Sequence, residues 1–153
     1  MTTPTLPGSL VPTQDERTMA TLAHALQLIG GWIAPLVIFL IRRESRFVSF
    51  HALQVLLLQI LNVIAILIFV VGWFGLIFST IFLHAGSKPG NPPLAVFLVF
   101  PLFWLFIVGT NVTVLVCAIV YAVKANRGEW AEYPVLGRFA RRLLKMGPGG
   151  TSV

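Results

Sequence analysis

The sequence predicts an all-α membrane protein: a polytopic bundle of three transmembrane helices, then a short amphipathic helix lying on the membrane surface. Three observations carry that fold class. Of 153 residues, 57% are hydrophobic and 10% charged, where an ordinary soluble domain carries roughly 25% charge. The apolar residues gather into three long runs, and nine of the eleven Lys and Arg fall in two stretches beside them, Arg42 to Arg46 and Lys124 to Lys145. That clustering points to a membrane surface and away from nucleic acid. The single cysteine, Cys117, leaves no intrachain disulfide and no cysteine-based zinc site.

Residues 1–14 are rich in Thr, Pro and Gly, show no periodic apolar face, and read as a disordered tail. The first positive side chain is Arg17, so the basic start of a secretory signal is missing. Thr13-Gln14-Asp15-Glu16 has the form of a capping box, which would start a helix ahead of the membrane. A membrane domain over residues 15–146 follows, and residues 147–153 read as a flexible tail.

The first apolar run, Thr18 to Ile41, would be about 36 Å long as a helix, enough for a span at 18–41. Phe47 to Leu83 would reach about 55 Å, which raises the question of two spans. Its middle, Ile64 to Val71, holds no turn residue, and Gly72-Trp73-Phe74-Gly75 leaves too little chain beyond it to cross again. One span at 50–72, with its far end bent along the interface at Trp73, is the expected arrangement. Leu94 to Val123 supplies the third span, at 98–123, after a Pro- and Gly-rich turn at 84–93. Three spans place nine basic residues on one side and Arg17 and Lys88 on the other. The positive-inside rule then puts the amino terminus outside and the carboxyl terminus in the cytoplasm of a multi-pass protein of the cell membrane. Four spans would separate the two basic clusters.

Polar residues inside spans are costly and tend to face protein or water. On the first helix His24, Gln27, Gly31 and Pro35 fall within about 80° of one another. His51, Gln54, Gln59 and Asn62 share about 140° of the second, and Thr110, Thr113, Cys117, Tyr121 and Lys124 about 80° of the third. The plain interpretation is a packed seam at the bundle centre, with small residues allowing close approach and amides bridging helices. The sharper one is a hydrophilic path along the same axis. No Asp or Glu lies in a span, so a carboxylate proton relay is not expected. Three crossings place His24 and His51 near opposite ends of their helices, so no metal site is expected, nor any cofactor. Gly30-Gly31 before Pro35 reads as a kink or a tight helix contact. Asn111-Val-Thr113 matches a glycosylation sequon by chance. No nucleophile elbow, phosphate-binding glycine loop or His-Glu zinc motif is present, and the chain is read as not an enzyme.

From Val135 to Met146, Leu136, Phe139, Ala140, Leu143 and Leu144 gather within about 140° when plotted as a helix. Arg138, Arg141, Arg142 and Lys145 occupy the opposite 100° or so. This segment, 135–146, is expected on the cytoplasmic leaflet with its basic residues toward anionic headgroups.

Asp15-Glu16-Arg17-Thr18, Leu22-Ala23-His24, Pro35-Leu36-Val37-Ile38, Ser45-Arg46-Phe47-Val48-Ser49-Phe50-His51-Ala52-Leu53-Gln54, Lys124-Ala125-Asn126-Arg127-Gly128-Glu129 and Tyr133-Pro134 occur in this order. Together they resemble the Tic-twenty-like family, small bacterial membrane proteins related to the channel subunit of the chloroplast inner-envelope translocon. The resemblance spans roughly residues 15–143. It implies a helical membrane bundle and, through the plastid relatives, a role in protein translocation; those relatives are described with four spans. Two functions stand at this point: a transport or translocation component, which three helices would form as an oligomer, and a non-transporting membrane scaffold or assembly factor. The expected partners are the lipid bilayer and its anionic cytoplasmic headgroups, other copies of the chain or other membrane proteins, and no nucleic acid.

Overall fold

A computed structural model describes residues 11–84 and 94–146. The expected tails, save residues 11–14, and the turn at 84–93, save His84, lie outside the described residues. The described elements are five helices in the order α1 (Gln14–Gly30), α2 (Ile33–Ile41), α3 (Arg46–His84), α4 (Leu94–Asn126) and α5 (Leu136–Leu143).

The helix starts where the capping box indicated. Thr13 is the N-cap; its Oγ1 accepts from the Glu16 backbone N–H at 3.2 Å, and Glu16 Oε2 accepts from the Thr13 N–H at 2.8 Å. The first apolar run does not continue as one helix. Gly31 adopts φ 55°, a conformation that favours glycine, and closes α1 after 17 residues. Pro35 reinforces the break, because it has no N–H to return to the Gly31 carbonyl. What was expected as a span at 18–41 is two helices of about 25 Å and 13 Å, each short of a bilayer's hydrocarbon thickness of about 30 Å.

The ends of this pair meet. Asp15, at the start of α1, lies 2.9 Å from Arg42, just after α2, and Ser45 Oγ donates to Glu16 Oε1 at 2.7 Å. A straight helix would hold these residues about 40 Å apart. The run is a helical hairpin that returns to the level at which it began. Among the described residues two helices, not three, are long and apolar enough to cross a membrane: Arg46–Leu83 and Phe97–Asn126. Only 17% and 11% of their most apolar windows are buried, unlike the core helix of a soluble protein. α3 also runs unbroken through Gly72 and Gly75 to His84, so the expected bend at Trp73 is absent. In lipid the backbone has no water to turn to, and a glycine alone does not release it from the helix.

The residues group into two compact units. One comprises residues 1–60 and 114–153, the other 61–113. In the first, Phe47 packs with Ala20 and Ala125, and Phe50 with Ala140 and Met146; Trp130 lies against both groups. In the second, Phe69 stacks on Phe106 with ring centroids 4.0 Å apart, and Trp73 packs against Phe103 at 4.7 Å. Most other large side chains there are exposed, as lipid-facing surface requires.

Candidate functional site

The first unit holds a buried polar cluster built from α1, α3, α4 and the 127–135 connection. α1 brings His24 and Gln27 on its inner face, one turn apart, beside the small Ala20 and Ala23. α3 brings His51 and Gln54 on its inner face and Gln59 a little further along. The connection supplies Tyr133 and two backbone carbonyls. His24, His51 and Gln54 are fully buried, and Gln27, Tyr133 and Gln59 are 2%, 3% and 9% exposed.

The hydrogen bonds run in a chain whose direction is fixed by one atom. His51 Nε2 lies 3.1 Å from the Glu129 carbonyl oxygen, which can only accept, so this nitrogen carries the proton. His51 Nδ1 is then the acceptor, and His24 Nε2, 3.1 Å away, donates to it. His24 Nδ1 in turn accepts from the Tyr133 hydroxyl at 3.3 Å. One backbone carbonyl thus sets the tautomers of two histidines and the orientation of a phenol. Beside the chain, Gln54 Nε2 donates to the Ala131 carbonyl at 3.2 Å and Gln54 Oε1 accepts from the Tyr133 N–H at 2.8 Å. Gln59 Nε2 donates to Gln27 Oε1 at 3.3 Å, while Gln27 Nε2 donates to the His24 carbonyl. Burial, with Cys117 and Tyr121 nearby, pushes the Tyr133 phenol well above its ordinary value, so it stays a donor at neutral pH.

Tyr121 closes the side of the cluster. Its hydroxyl donates to the Glu132 carbonyl at 2.9 Å, and its ring lies 4.1 Å from that of Tyr133. Thr21 Oγ1 reaches the Ala122 carbonyl at 3.4 Å, joining α1 to α4.

Five of the seven expected stripe residues therefore meet: His24, Gln27, His51, Gln54 and Gln59. Asn62 and Thr113 belong to the second unit, where Thr113 Oγ1 turns back to the Gly109 carbonyl of its own helix. The expectation that His24 and His51 sit at opposite ends fails, because it assumed that α1 and α2 cross the membrane as one. Sequence reasoning passed over Tyr133 and the Glu129 and Ala131 carbonyls. For Glu129 and Tyr133 the signal was their place in Lys124–Glu129 and Tyr133-Pro134, which mark only a family likeness; Ala131 had none. Among the described residues no group of three or more His, Cys, Asp or Glu could hold a metal ion.

α5 is shorter than expected and is rotated relative to the expected division of faces. Ala140 is buried and Leu136 and Leu144 are half-buried, whereas Phe139 and Leu143 are exposed. Arg141 does not face outward. It pairs with Glu132, lies with its guanidinium carbon 5.2 Å from the Phe50 ring centroid, and has a side chain only 14% exposed. Gly137 allows this docking: a Cβ there would lie 2.5 Å from Glu132 Cβ and 3.1 Å from Gln54 Oε1. Arg138, Arg142 and Lys145 are exposed.

Two long apolar helices exposed along most of their length define an all-helical membrane protein, and the first unit adds a packed polar cluster. The chain belongs to the magnetosome magnetite crystal formation protein family, which it matches over residues 15–140. It is also similar to a UPF0132 membrane protein of Methanocaldococcus jannaschii, 28% identical over 115 residues, or 74% of this chain. The chain spans 62% of that relative's length. No solved structure matches it. The family match overturns the Tic-twenty-like resemblance, whose motifs fall inside the same residues. The segments from Phe47 to Gln54 and from Lys124 to Glu129 carry the packed cluster, so they were informative about the core and misleading about the family.

Proposed function

We propose that this chain is a non-transporting membrane scaffold or assembly factor, with two crossing helices and a re-entrant hairpin. The observation that carries the reading is the closure of the polar cluster. A conduit needs polar side chains that water can reach, whereas here they are consumed by bonds to one another and to backbone carbonyls. Neither a transported substrate nor a catalytic pair enters this reading. The family's description supplies a setting, the growth of magnetite crystals in a magnetosome. In such a setting this chain would organise a membrane rather than feed it. The name of the archaeal relative says only that it is a membrane protein.

The hairpin also revises the expected orientation. Asp15 lies beside Arg42, and every Lys and Arg except Lys88 belongs to the first unit, which supports a single basic side. By the positive-inside rule that basic side would be cytoplasmic, with Thr13 before α1 and Lys145 after α5 both on it.

One labelling experiment tests both statements. In a Cys117→Ser background, Gln54→Cys and Gln59→Cys should resist a membrane-impermeant maleimide from either face of oriented vesicles. Asp15→Cys and Lys145→Cys should both react from the cytoplasmic face. Reaction at Gln54 and Gln59 in the folded protein would restore a conduit; reaction of the other two from opposite faces would overturn the hairpin topology.

A further inference from the structure

We infer that the outward face of α5 is a docking surface for an anionic lipid leaflet, into which Phe139 and Leu143 insert between basic side chains. Val135, Phe139 and Leu143 are 75%, 51% and 54% exposed. Arg138, Arg142 and Lys145 are exposed beside them, and no Asp or Glu occurs between Tyr133 and Met146. A solvent-facing helix has no use for an exposed phenylalanine and leucine one turn apart. A nucleic acid would answer the arginines and leave those two side chains wet. A leaflet of anionic headgroups answers both, with acyl chains for the apolar residues and phosphates for the cations.

The position of α5 fits that partner. It begins ten residues after α4 ends at Asn126, and the intervening segment is held to α4 by Tyr121 and to α3 by Gln54. Arg141 is spent on Glu132 and Phe50, which fixes the rotation of the helix and keeps Phe139 and Leu143 turned away from the protein. The expected lipid contact at Arg141 is thereby replaced. Arg138, Arg142 and Lys145 make the contact, and Arg141 sets the angle. The inference does not depend on the scaffold reading, since its partner is the leaflet itself.

The test uses the full chain in nanodiscs, with Cys117→Ser and an environment-sensitive fluorophore on Phe139→Cys. Phosphatidylcholine discs should leave the label wet. Discs containing phosphatidylglycerol should shift its emission to the blue, and high salt should reverse part of the shift. Arg138→Gln with Arg142→Gln should abolish the shift while helical content is unchanged, because both side chains lie outside the packed core. A label on Leu143→Cys should behave as the first does. Equal emission in the two lipids would overturn the inference. So would a shift that survives the double substitution. A shift produced in phosphatidylcholine discs by a soluble polyanion would assign the face to a different partner.

Discussion

The two units treat their polar side chains in opposite ways. In residues 1–60 and 114–153, hydroxyls, amides and imidazoles bond across elements, and six polar residues are buried. In residues 61–113, Ser79, Thr80, Thr110, Asn111 and Thr113 each donate to a carbonyl three or four residues earlier in their own helix. The first pattern ties segments together. The second satisfies a donor within its own helix, as suits a helix surrounded by lipid. One chain thus shows a core that resembles that of a soluble protein and a pair of helices for which lipid is the solvent.

Replacing His51 tests this contrast most severely. His51→Leu removes the middle of the chain and leaves the His24 N–H and the Glu129 carbonyl without their partner. Losing a buried partner costs about 1–3 kcal/mol. An average interhelical bond in lipid is worth only about 0.6 kcal/mol. Unfolding of the reconstituted protein should show the larger loss for His51→Leu and, for Asn111→Val, a change within about 0.5 kcal/mol. Similar losses at the two positions would mean that the units do not differ in this way.

Gly137→Ala comes next in size. The added methyl would meet Glu132 and Gln54, both part of the seat on which α5 rests. Overpacking of this kind costs about 1–3 kcal/mol. Because the strain is local, hydrogen exchange should accelerate in 133–146 while the amides of residues 61–84 stay protected. Protection lost equally in both segments would mean that α5 is integral to the fold rather than docked on it.

What could be read from the sequence divides along the same line. The capping box was legible because Thr13 and Glu16 are three residues apart and the bonds between them are local. α3 and α4 were legible because length and hydropathy suffice for a helix whose solvent is lipid. The first run was misread for the same reason. Its length fits a crossing, and the break depends on what Gly31 does. Proline alone would not have settled it, since Pro101 sits inside α4 without ending it. The approach of Asp15 to Arg42 and of His24 to His51, 27 residues apart in each case, is non-local and has no periodic signature. Tyr133 was missed because it lies in an irregular connection, where spacing says nothing about direction.

The base of the hairpin should respond least, and to pH. Burial pushes the Glu16 carboxyl up, but bonds from Ser45 and Thr13, with Arg42 nearby, outweigh it and hold the group below its usual range. A carboxyl depressed in the folded state stabilises that state above its unfolded value, about 4.3, and loses the contribution as pH falls through the folded value. The native protein should therefore melt earlier at acid pH than at neutral pH by more than Glu16→Gln does. Solvent screening at this partly exposed site keeps the difference to about one degree of Tm. If native and variant fell in parallel, the bonds that Glu16 makes to Thr13 and Ser45 would add nothing to the pH dependence, and the loss in acid would belong to other groups.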